Sequence, residues 1–127
     1  MKNGNLSVGR RGEDAACRYL QSLGHTVLER NWRFSHLEID IITLKLDELH
    51  IVEVKTRVSP AMADPEENVD WAKQAKLVRA AGAFLHSQQK LQLSASLEIF
   101  FDVVSVVLDG ERELVEYFPQ AFIPTYV

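Results

Sequence analysis

The stretch Leu37–Arg57, LEIDIITLKLDELHIVEVKTR, decides the fold. Its β-branched and apolar residues form two runs on either side of residues 46–47, and this pattern predicts two β-strands joined by a tight turn. Strands this apolar are usually buried on both faces. Asp40, Glu53 and Lys55 nevertheless lie inside the two runs. Because a buried charge is costly unless it is paired or bound to a metal, these charges indicate where function lies.

The register of the two strands brings two of these charges together. Side chains alternate between the faces of a strand, so Glu53, Lys55 and Arg57 share one face. A two-residue turn at 46–47 puts Asp40 opposite Glu53, and moving the turn by one residue leaves them diagonal neighbours, about 5–8 Å apart. Two carboxylates this close repel unless one is protonated or a cation lies between them. Such oxygen ligands suit Mg²⁺.

The charges of this hairpin have two interpretations. Asp40, followed after twelve residues by Glu53-Val54-Lys55, resembles the D…(D/E)xK signature of the restriction-endonuclease-like nuclease superfamily. E-x-K is also common in charged strands, where the same residues form a solvated face with cross-strand ion pairs such as Asp40 with Lys55. The hairpin alone does not separate the two, and the rest of the chain must decide.

Length and composition predict a single domain over residues 1–127. Hydrophobic residues make up 46% and charged residues 25%, as in ordinary globular proteins. No apolar run approaches the ~20 residues of a membrane span, and the first residues lack the apolar core of a signal peptide. The single cysteine, Cys17, cannot form an internal disulfide, and the four histidines lack zinc-site spacing. We therefore expect a cytoplasmic protein without membrane association.

The net charge of −4 argues against a protein that coats nucleic acid. The charges are uneven, however. Basic side chains slightly exceed acidic ones up to residue 57, whereas acidic side chains dominate the remainder. A phosphate-binding surface on this chain is therefore expected to be a local patch.

The first predicted helix covers residues 7–23, and Gly24 is a plausible residue to end it. Glu13 falls on the inward, apolar stripe of this helix, which is an unusual place for a carboxylate. It either has a function there or only complements the helix N-terminus and pairs with Arg10 or Arg11. The neighbouring glycines could let a phosphate approach the backbone.

A second helix is predicted at residues 71–88, with Asp70 as its N-cap. Lys73, Lys76 and Arg79 recur along it at three-residue spacing and form a basic ridge. A solvated face is the usual meaning of such a ridge. The segment from Val58 to about Val69 precedes this helix, and we interpret it either as a mobile loop at the mouth of the site or as an ordinary connection.

Further strands are predicted at residues 25–34, 97–108 and, at an edge, 113–118. The apolar tail at residues 119–127 is expected to pack on the core, with a partner surface as the alternative. The resulting order is helix, three strands, helix, strand. This order predicts an α/β protein with an αβββαβ core, a mixed β-sheet flanked by helices, as in the restriction-endonuclease-like fold.

Several segments together resemble the YraN family of small bacterial proteins. The resemblance runs from about Gly9 to Phe122 and rests on GRRGEDAACRYLQSLGH, LERNWRF, EIDII, VEVKTR, the Lys73-Gln74 helix start and FDVVSV. The family lies within the restriction-endonuclease-like, PD-(D/E)XK superfamily and is related in fold to archaeal Holliday-junction resolvases. The resemblance therefore implies that fold and a nuclease ancestry. The superfamily's nominal proline is absent, because Ile39 precedes Asp40.

The resemblance also implies a set of metal ligands. Asp40 and Glu53 resemble the superfamily's metal-binding acids, and the carbonyl of Val54 would be a further ligand. Glu13 resembles the acid of the first helix that completes metal coordination in resolvase-like members. Mg²⁺, or Mn²⁺ in its place, is the implied cofactor.

The remaining implied roles concern the reaction and the substrate. Lys55 resembles the lysine that orients or activates the attacking water and stabilises charge on the phosphate. Gln74, and less directly Lys73, resemble polar helix residues near the scissile phosphate. Contacts with flanking phosphates position a strand without reading its bases. The residues expected to make them are Arg10, Arg11, Arg57, Lys73 and Lys76.

Three functions remain open. The first is a metal-dependent endonuclease that hydrolyses phosphodiester bonds in branched or structured DNA. The second is a catalytically weak or inactive nucleic-acid-binding module of the same fold, and the third is an interaction protein that docks a partner through its tail. A homodimer would suit symmetrical cutting of two strands.

Overall fold

In the computed structural model the chain is described over residues 4–60, 69–87 and 96–124, with side chains from residue 8 onward. The helices of this part are α1 (Gly4–Ser22) and α2 (Trp71–Ser87). Its strands are β1 (Thr26–Phe34), β2 (Leu37–Lys45), β3 (Glu48–Val58), β4 (Glu98–Asp109) and β5 (Arg112–Phe122). Neither helix of the described ranges is long and apolar enough to cross a membrane.

The five strands form one sheet in the order β1-β2-β3-β4-β5. Neighbouring strands are antiparallel except β3 and β4, which are parallel. Parallel neighbours need a long crossover connection, and α2 lies in the one between these strands. The predicted mixed sheet is confirmed.

Each helix covers one face of this sheet. The face of α1 carries Ile41, Val52 and Val104 in one buried cluster, together with apolar residues of the helix itself. The face of α2 carries Ile42 and Ile51 in a second buried cluster with α2 residues. Because both faces are covered, β2 and β3 are apolar on both sides, and this is why their sequence runs do not alternate cleanly.

The end of α1 follows from a glycine. Gly24 adopts a positive φ of 96°. The Gly24 N–H donates to the Gln21 carbonyl at 3.0 Å and the His25 N–H to the Leu20 carbonyl at 3.0 Å, which is the Schellman arrangement. The predicted end of the helix is thus confirmed, whereas α1 begins at Gly4, ahead of the predicted residue 7.

The hairpin of β2 and β3 has the predicted turn. Lys45 pairs with Glu48, so the connection is the two residues 46–47, and Leu46 adopts the positive φ of 54° that tight hairpin turns require. The pairing of β2 with β3 ends at Ile41 and Val52. Beyond that point β2 continues only along β1, and β3 continues along β4. We call the place where the two strands separate, next to Asp40, the fork.

The last strand is longer than the predicted residues 113–118. β5 reaches Phe122 through a bulge, where the register on β4 shifts and Gln120 has a φ of 49°. A bulge on an edge strand tolerates Pro119, which has no N–H to donate. Phe122 packs on the core as expected for the tail, while Ile123 is 79% exposed. Residues 125–127 of the tail, and residues 61–68 of the predicted loop, lie outside the described ranges.

Candidate functional site

Asp40 lies at the fork of the sheet. Its Oδ2 atom accepts a hydrogen bond of 2.8 Å from the backbone N–H of Val54. This bond takes the place of the strand pairing, which ends one residue away on β2, at Ile41, and two residues away on β3, at Val52. The Asp40 carboxyl is therefore held between two strands rather than projecting freely from one of them.

Asp40 and Glu53 form a close pair of carboxyl groups, which we call the acid pair. Burial raises the pKa of Asp40 to about 7, and the neighbouring Glu53 contributes to this rise, while the Val54 N–H opposes the change. The residue Glu53 is only 8% exposed. The predicted turn and register are confirmed as far as Ile41 and Val52, and Asp40 and Glu53 come together just beyond the last pair. A pair of this kind favours either one proton or a cation between its oxygens.

The positive charge that neutralises Glu53 belongs to a lysine of α2. The Lys73 Nζ lies 3.5 Å from the Glu53 Oε2. Lys55, the predicted catalytic lysine, lies two residues along β3 on the face of Glu53 and is half-buried. Among the ion pairs between described residues, none joins Asp40 to Lys55. The interpretation as a simple cross-strand pair of those two residues is therefore wrong.

A cavity of about 610 Å³ opens beside the fork. Its walls come from α1, β1, β2 and β3, so it reaches from the first helix to Asp40. Among the lining residues, the polar and charged side chains include those of Arg10, Glu13, Arg30, Asn31, Asp40 and Thr56. Three of the four predicted metal ligands, Glu13, Asp40 and Val54, thus share one cavity with the predicted phosphate-binding residue Arg10.

Glu13 faces inward, as its position on the helix predicts, and only 15% of its side chain is exposed. Its Oε1 accepts hydrogen bonds from Arg30 at 2.9 Å and from the Asn31 side-chain amide at 2.9 Å. The alternative that Glu13 pairs with Arg10 or Arg11 is therefore wrong. The partners come instead from β1, and they hold the carboxylate of α1 against the sheet.

Asn31 occupies a special place in β1. Its neighbours pair with Ile41 and Ile39, so it lies across from Asp40, and it has a φ of 51°. Asparagine adopts this left-handed region more readily than other side-chain-bearing residues. The sequence holds one signal of this: asparagine is depleted in strands, yet it interrupts LERNWRF. Neither Asn31 nor Arg30 belongs to the predicted site.

α1 approaches the end of β3 closely at a glycine. A Cβ atom on Gly12 would lie 1.9 Å from the Oγ1 of Thr56. The glycine is therefore needed for packing of the helix on the strand. Gly9 lines the cavity, and a Cβ there would meet nothing within 4 Å. Only Gly9 stays a candidate for close approach of a phosphate.

The start of α2 uses its polar residues for capping. The Asp70 Oδ1 accepts the Lys73 N–H at 2.8 Å, which confirms the predicted cap. The Gln74 side-chain amide donates to the carbonyl of Val69 at 2.7 Å. Gln74 is thus engaged in the structure of the helix start, and its role near a scissile phosphate stays a prediction.

The remaining predicted phosphate-binding residues are distributed over three elements. Arg11 on α1 lies 3.8 Å from the carboxylate of Glu113 on β5. Lys76 is exposed on α2, one turn beyond Lys73. Arg57 is half-buried near the end of β3. The structure brings Arg10 to the cavity and Lys73 to the acid pair, and it leaves Arg11 in a contact with the far edge strand.

The fork offers Mg²⁺ only a small number of protein ligands. Within the described ranges, no group of three or more His, Cys, Asp or Glu side chains is arranged to hold a metal ion. Glu13, the predicted third acid, is engaged by Arg30 and Asn31. The acid pair itself suits the ion, because Mg²⁺ often takes one or two carboxylates and completes its shell with waters and phosphate oxygens.

A second polar cluster lies at the other end of β3, and sequence reasoning missed it. The His50 Nδ1 lies 2.5 Å from the Asp102 carboxylate and the Nε2 lies 2.9 Å from that of Glu48. The Tyr117 hydroxyl also donates to Asp102, at 2.5 Å. The ring of His25 lies 4.5 Å from that of His50, centroid to centroid. Asp102 inside the apolar run FFDVV was the available signal.

The protonation of the two histidines differs. Burial alone would lower the pKa of His50, but the carboxylates of Asp102 and Glu48 raise it above its ordinary value. Burial lowers the pKa of His25, and the neighbouring His50 lowers it further. The cluster therefore favours one protonated and one neutral imidazole, and its hydrogen bonds tie β3, β4 and β5 together.

Comparison with known proteins establishes the kinship of the chain. The sequence profile of the family described as "Uncharacterised protein family UPF0102" matches residues 12–106. The chain belongs to this family. The matched segment contains the fork, the acid pair and α2, and the resemblance to the YraN family is confirmed at this level.

Full-length relatives carry the same family name. A UPF0102 protein of Bacteroides thetaiotaomicron is 38% identical over 117 residues, which cover 92% of this chain and 93% of that protein. A UPF0102 protein of Dictyoglomus turgidum is 40% identical over 120 residues, covering 93% and 98%. One from Parabacteroides distasonis is 37% identical over 115 residues, covering 91% of each. These relatives extend the kinship beyond the profile to nearly the whole chain.

Proposed function

We propose that this UPF0102 protein is a metal-dependent nuclease of the restriction-endonuclease-like superfamily, acting on branched or structured DNA. The observation that carries the proposal is the acid pair. Glu53 is buried and Asp40 is half-buried, the two carboxyl groups interact at the fork, and Asp40 borders a cavity whose wall includes Arg10. Two acids held this close with little access to solvent destabilise a fold, so their presence beside a cavity favours a functional role.

The acid pair and its neighbours have distinct roles in this mechanism. Asp40 and Glu53 would hold Mg²⁺ or Mn²⁺, with the Val54 carbonyl as a further ligand. The bound ion would offset negative charge on the phosphate and make its bound water more acidic. Lys73, already 3.5 Å from Glu53, and Lys55 on the same face supply positive charge where charge develops on the phosphate.

The cavity positions the DNA backbone in this mechanism. Arg10 reaches into the cavity from α1 and contacts a phosphate that flanks the scissile one. Arg30 and Asn31 fix Glu13 in the wall of the cavity. A fixed Glu13 orients the ligands and waters of the site rather than swinging to meet them.

A nucleic-acid-binding module with little catalysis is the second candidate. It is favoured by one observation: within the described ranges no group of three or more His, Cys, Asp or Glu side chains is arranged to hold a metal ion, and the Oε1 of Glu13 already accepts hydrogen bonds from Arg30 and Asn31. In that case the acid pair is a structural remnant, and the basic residues of the cavity and α2 carry the function.

Cleavage assays on labelled four-way junction, forked and linear duplex DNA test the proposal. We expect Mg²⁺- or Mn²⁺-dependent cutting by the wild type and its loss in Asp40→Asn, Glu53→Gln and Lys55→Ala, with their folds intact. Glu111→Gln, which removes an exposed acid in the β4–β5 turn, is the matched control and should cut normally. Equal cutting by the acid-pair variants would indicate a contaminant. Salt-sensitive binding without cutting would support the binding module.

A further inference from the structure

The two edges of the sheet differ in how well they are protected against pairing with a further strand. Among the described strands, β1 and β5 each have a neighbour on one side only. Such an edge presents unpaired N–H and C=O groups, and bulges commonly prevent another strand from using them. β1 is interrupted twice, by the register shift between Val27 and Glu29 and by Asn31 with its φ of 51°. β5 is regular from Arg112 to Phe118, where every residue has a partner on β4, and its bulge comes only after that segment.

The regular part of β5 carries different side chains on its two faces. Glu113 and Val115 face α1, the first through an ion pair with that helix and the second through apolar packing. Because side chains alternate along a strand, Arg112, Leu114 and Glu116 share the opposite face. All three are exposed, and Leu114 is 46% exposed. Along the strand this face therefore presents a cation, an apolar side chain and an anion at equal spacing.

This order of side chains is self-complementary when two copies of β5 run antiparallel. If the two-fold axis passes through Leu114, this residue lies opposite Leu114 of the second copy, and Arg112 lies opposite Glu116 in both directions. Apolar pairs and opposite charges directly across an antiparallel ladder stabilise it. Moving the axis to Val115 sets Leu114 against Glu116 and removes both charge pairs.

The backbone of β5 supports the same register. Asp109 pairs with Arg112 across the two-residue turn 110–111, and hydrogen-bonded and non-hydrogen-bonded pairs alternate from there. The backbone N–H and C=O groups of Glu113 and Val115 therefore point away from β4. With the axis at Leu114, Glu113 meets Val115 of the second copy, and the two symmetric pairs exchange about four hydrogen bonds. Backbone and side chains thus agree on one arrangement, which argues for a second copy of this chain rather than an unrelated strand.

We propose that two copies of this protein associate through β5, antiparallel about Leu114, so that their sheets become continuous. The inference does not rest on the proposed function. The cavity and the acid pair involve α1 and β1 to β3, away from this edge, and they stay open in the dimer. A contact through one short strand is small beside the roughly 800 Å² that each partner buries in a stable complex. We therefore expect a monomer–dimer equilibrium that depends on concentration.

Sedimentation equilibrium of the full-length protein in EDTA, from about 1 µM to about 1 mM, tests the proposal. We expect the dimer fraction of the wild type to rise across this range. Leu114→Lys sets two like charges opposite each other on the axis and should weaken dimerisation at least about tenfold. Leu46→Lys, which adds the same charge at a residue 87% exposed in the β2–β3 turn, is the matched control and should dimerise normally.

Exchange of the two charges tests the register itself. Arg112→Glu and Glu116→Arg should each weaken dimerisation, because each variant sets like charges opposite each other in both pairs. The combined variant restores opposite charges in both pairs and should recover the wild-type dimer. Since both side chains are exposed, all three variants should keep the wild-type melting temperature.

Each outcome decides the question. Recovery of the dimer in the combined variant supports the antiparallel register about Leu114, even if Leu114→Lys were to unfold. A wild type that stays monomeric throughout overturns the proposal and leaves the β5 edge to a strand of another protein. A dimer that Leu114→Lys and both single exchanges leave unchanged overturns it as well, since the contact then lies elsewhere. Failure of the combined variant to recover, or assembly that continues beyond the dimer, also contradicts the proposed symmetric pairing.

Discussion

Replacing Asp40 with asparagine should stabilise the metal-free protein at alkaline pH. The asparagine side chain keeps an oxygen that can accept the Val54 N–H, which Asp40 now accepts at 2.8 Å. Its amide can also donate to Glu53. The substitution therefore removes a charge from the acid pair while leaving the fork hydrogen-bonded.

The magnitude follows from the pKa of Asp40. The folded protein raises it from 3.8 to about 7, which at about 1.4 kcal/mol per tenfold change corresponds to roughly 4 kcal/mol. Below about pH 4 the carboxyl is protonated in both states and contributes its full stability. That stability is lost as the pH rises to about 7, and the loss is complete above it. Because asparagine retains part of the burial cost, we expect a gain of about 2–3 kcal/mol at pH 8.5.

Urea unfolding in EDTA at pH 4.5, 6, 7 and 8.5 measures this effect. The wild type should lose stability relative to Asp40→Asn across the series, and the two proteins should converge at the acidic end. Glu29→Gln, which removes an exposed acid of β1, is the control and should follow the wild type. A difference that does not change with pH, or a less stable Asp40→Asn at pH 8.5, would refute the reasoning.

Three further substitutions test the packing around the site and the second polar cluster. Gly12→Ala should lower the free energy of unfolding by about 1–3 kcal/mol, because the added Cβ collides with Thr56. Gly9→Ala should leave it unchanged or raise it slightly. Equal midpoints of urea unfolding for the two variants would contradict this. Asn31→Ala should cost about 1–2 kcal/mol, since alanine disfavours a positive φ and removes a hydrogen bond to α1. If Asn31→Gly, which permits that φ, recovers nothing, backbone conformation is not the cause. His50→Gln should lower the free energy of unfolding by about 1–3 kcal/mol at pH 6 and by less at pH 8.5, because a histidine with a raised pKa contributes stability that is lost as the pH rises. If thermal unfolding shows the same difference between variant and wild type at both pH values, His50 is not an imidazolium in the folded protein.

The acid pair is predictable from the sequence because it depends on local rules. The tight turn at residues 46–47 and the alternation of side chains fix which residues of β2 and β3 face each other. These two rules are sufficient to place Asp40 beside Glu53, and the observed register confirms them. The separation of the two strands beyond Ile41 and Val52 is not predictable in this way, because it depends on which neighbours each strand keeps.

The surroundings of the pair depend on tertiary contacts that no short-range pattern encodes. Lys73, rather than Lys55, neutralises Glu53 because the packing of α2 on the sheet brings the Lys73 Nζ within 3.5 Å of the Glu53 carboxylate. Arg30 and Asn31 hold Glu13 because α1 packs on the sheet with Glu13 next to these two residues of β1. Asn31 also adopts a positive φ that strand patterns do not predict. Such partners lie far apart in the sequence, and only the packing of helices on the sheet brings them together.

The cluster of His25, His50 and Asp102 also depends on contacts between residues that are distant in the sequence. His25 and His50 are isolated in the sequence, without the close spacing of a metal site. His50 reaches Asp102 because β3 pairs with β4 in parallel. A buried aspartate in an apolar strand run is the one local sign of such a network. That sign predicts a partner without indicating which residue it is.

Calorimetric titration with Mn²⁺ tests the central claim, that the acid pair is a cation site, most directly. We predict that the wild type binds the ion, that Asp40→Asn/Glu53→Gln does not, and that Glu111→Gln binds as the wild type does. Binding by the double variant with unchanged affinity would place the ion elsewhere. No binding to the wild type, even with a DNA oligomer present, would contradict the claim and leave the acid pair as a structural contact.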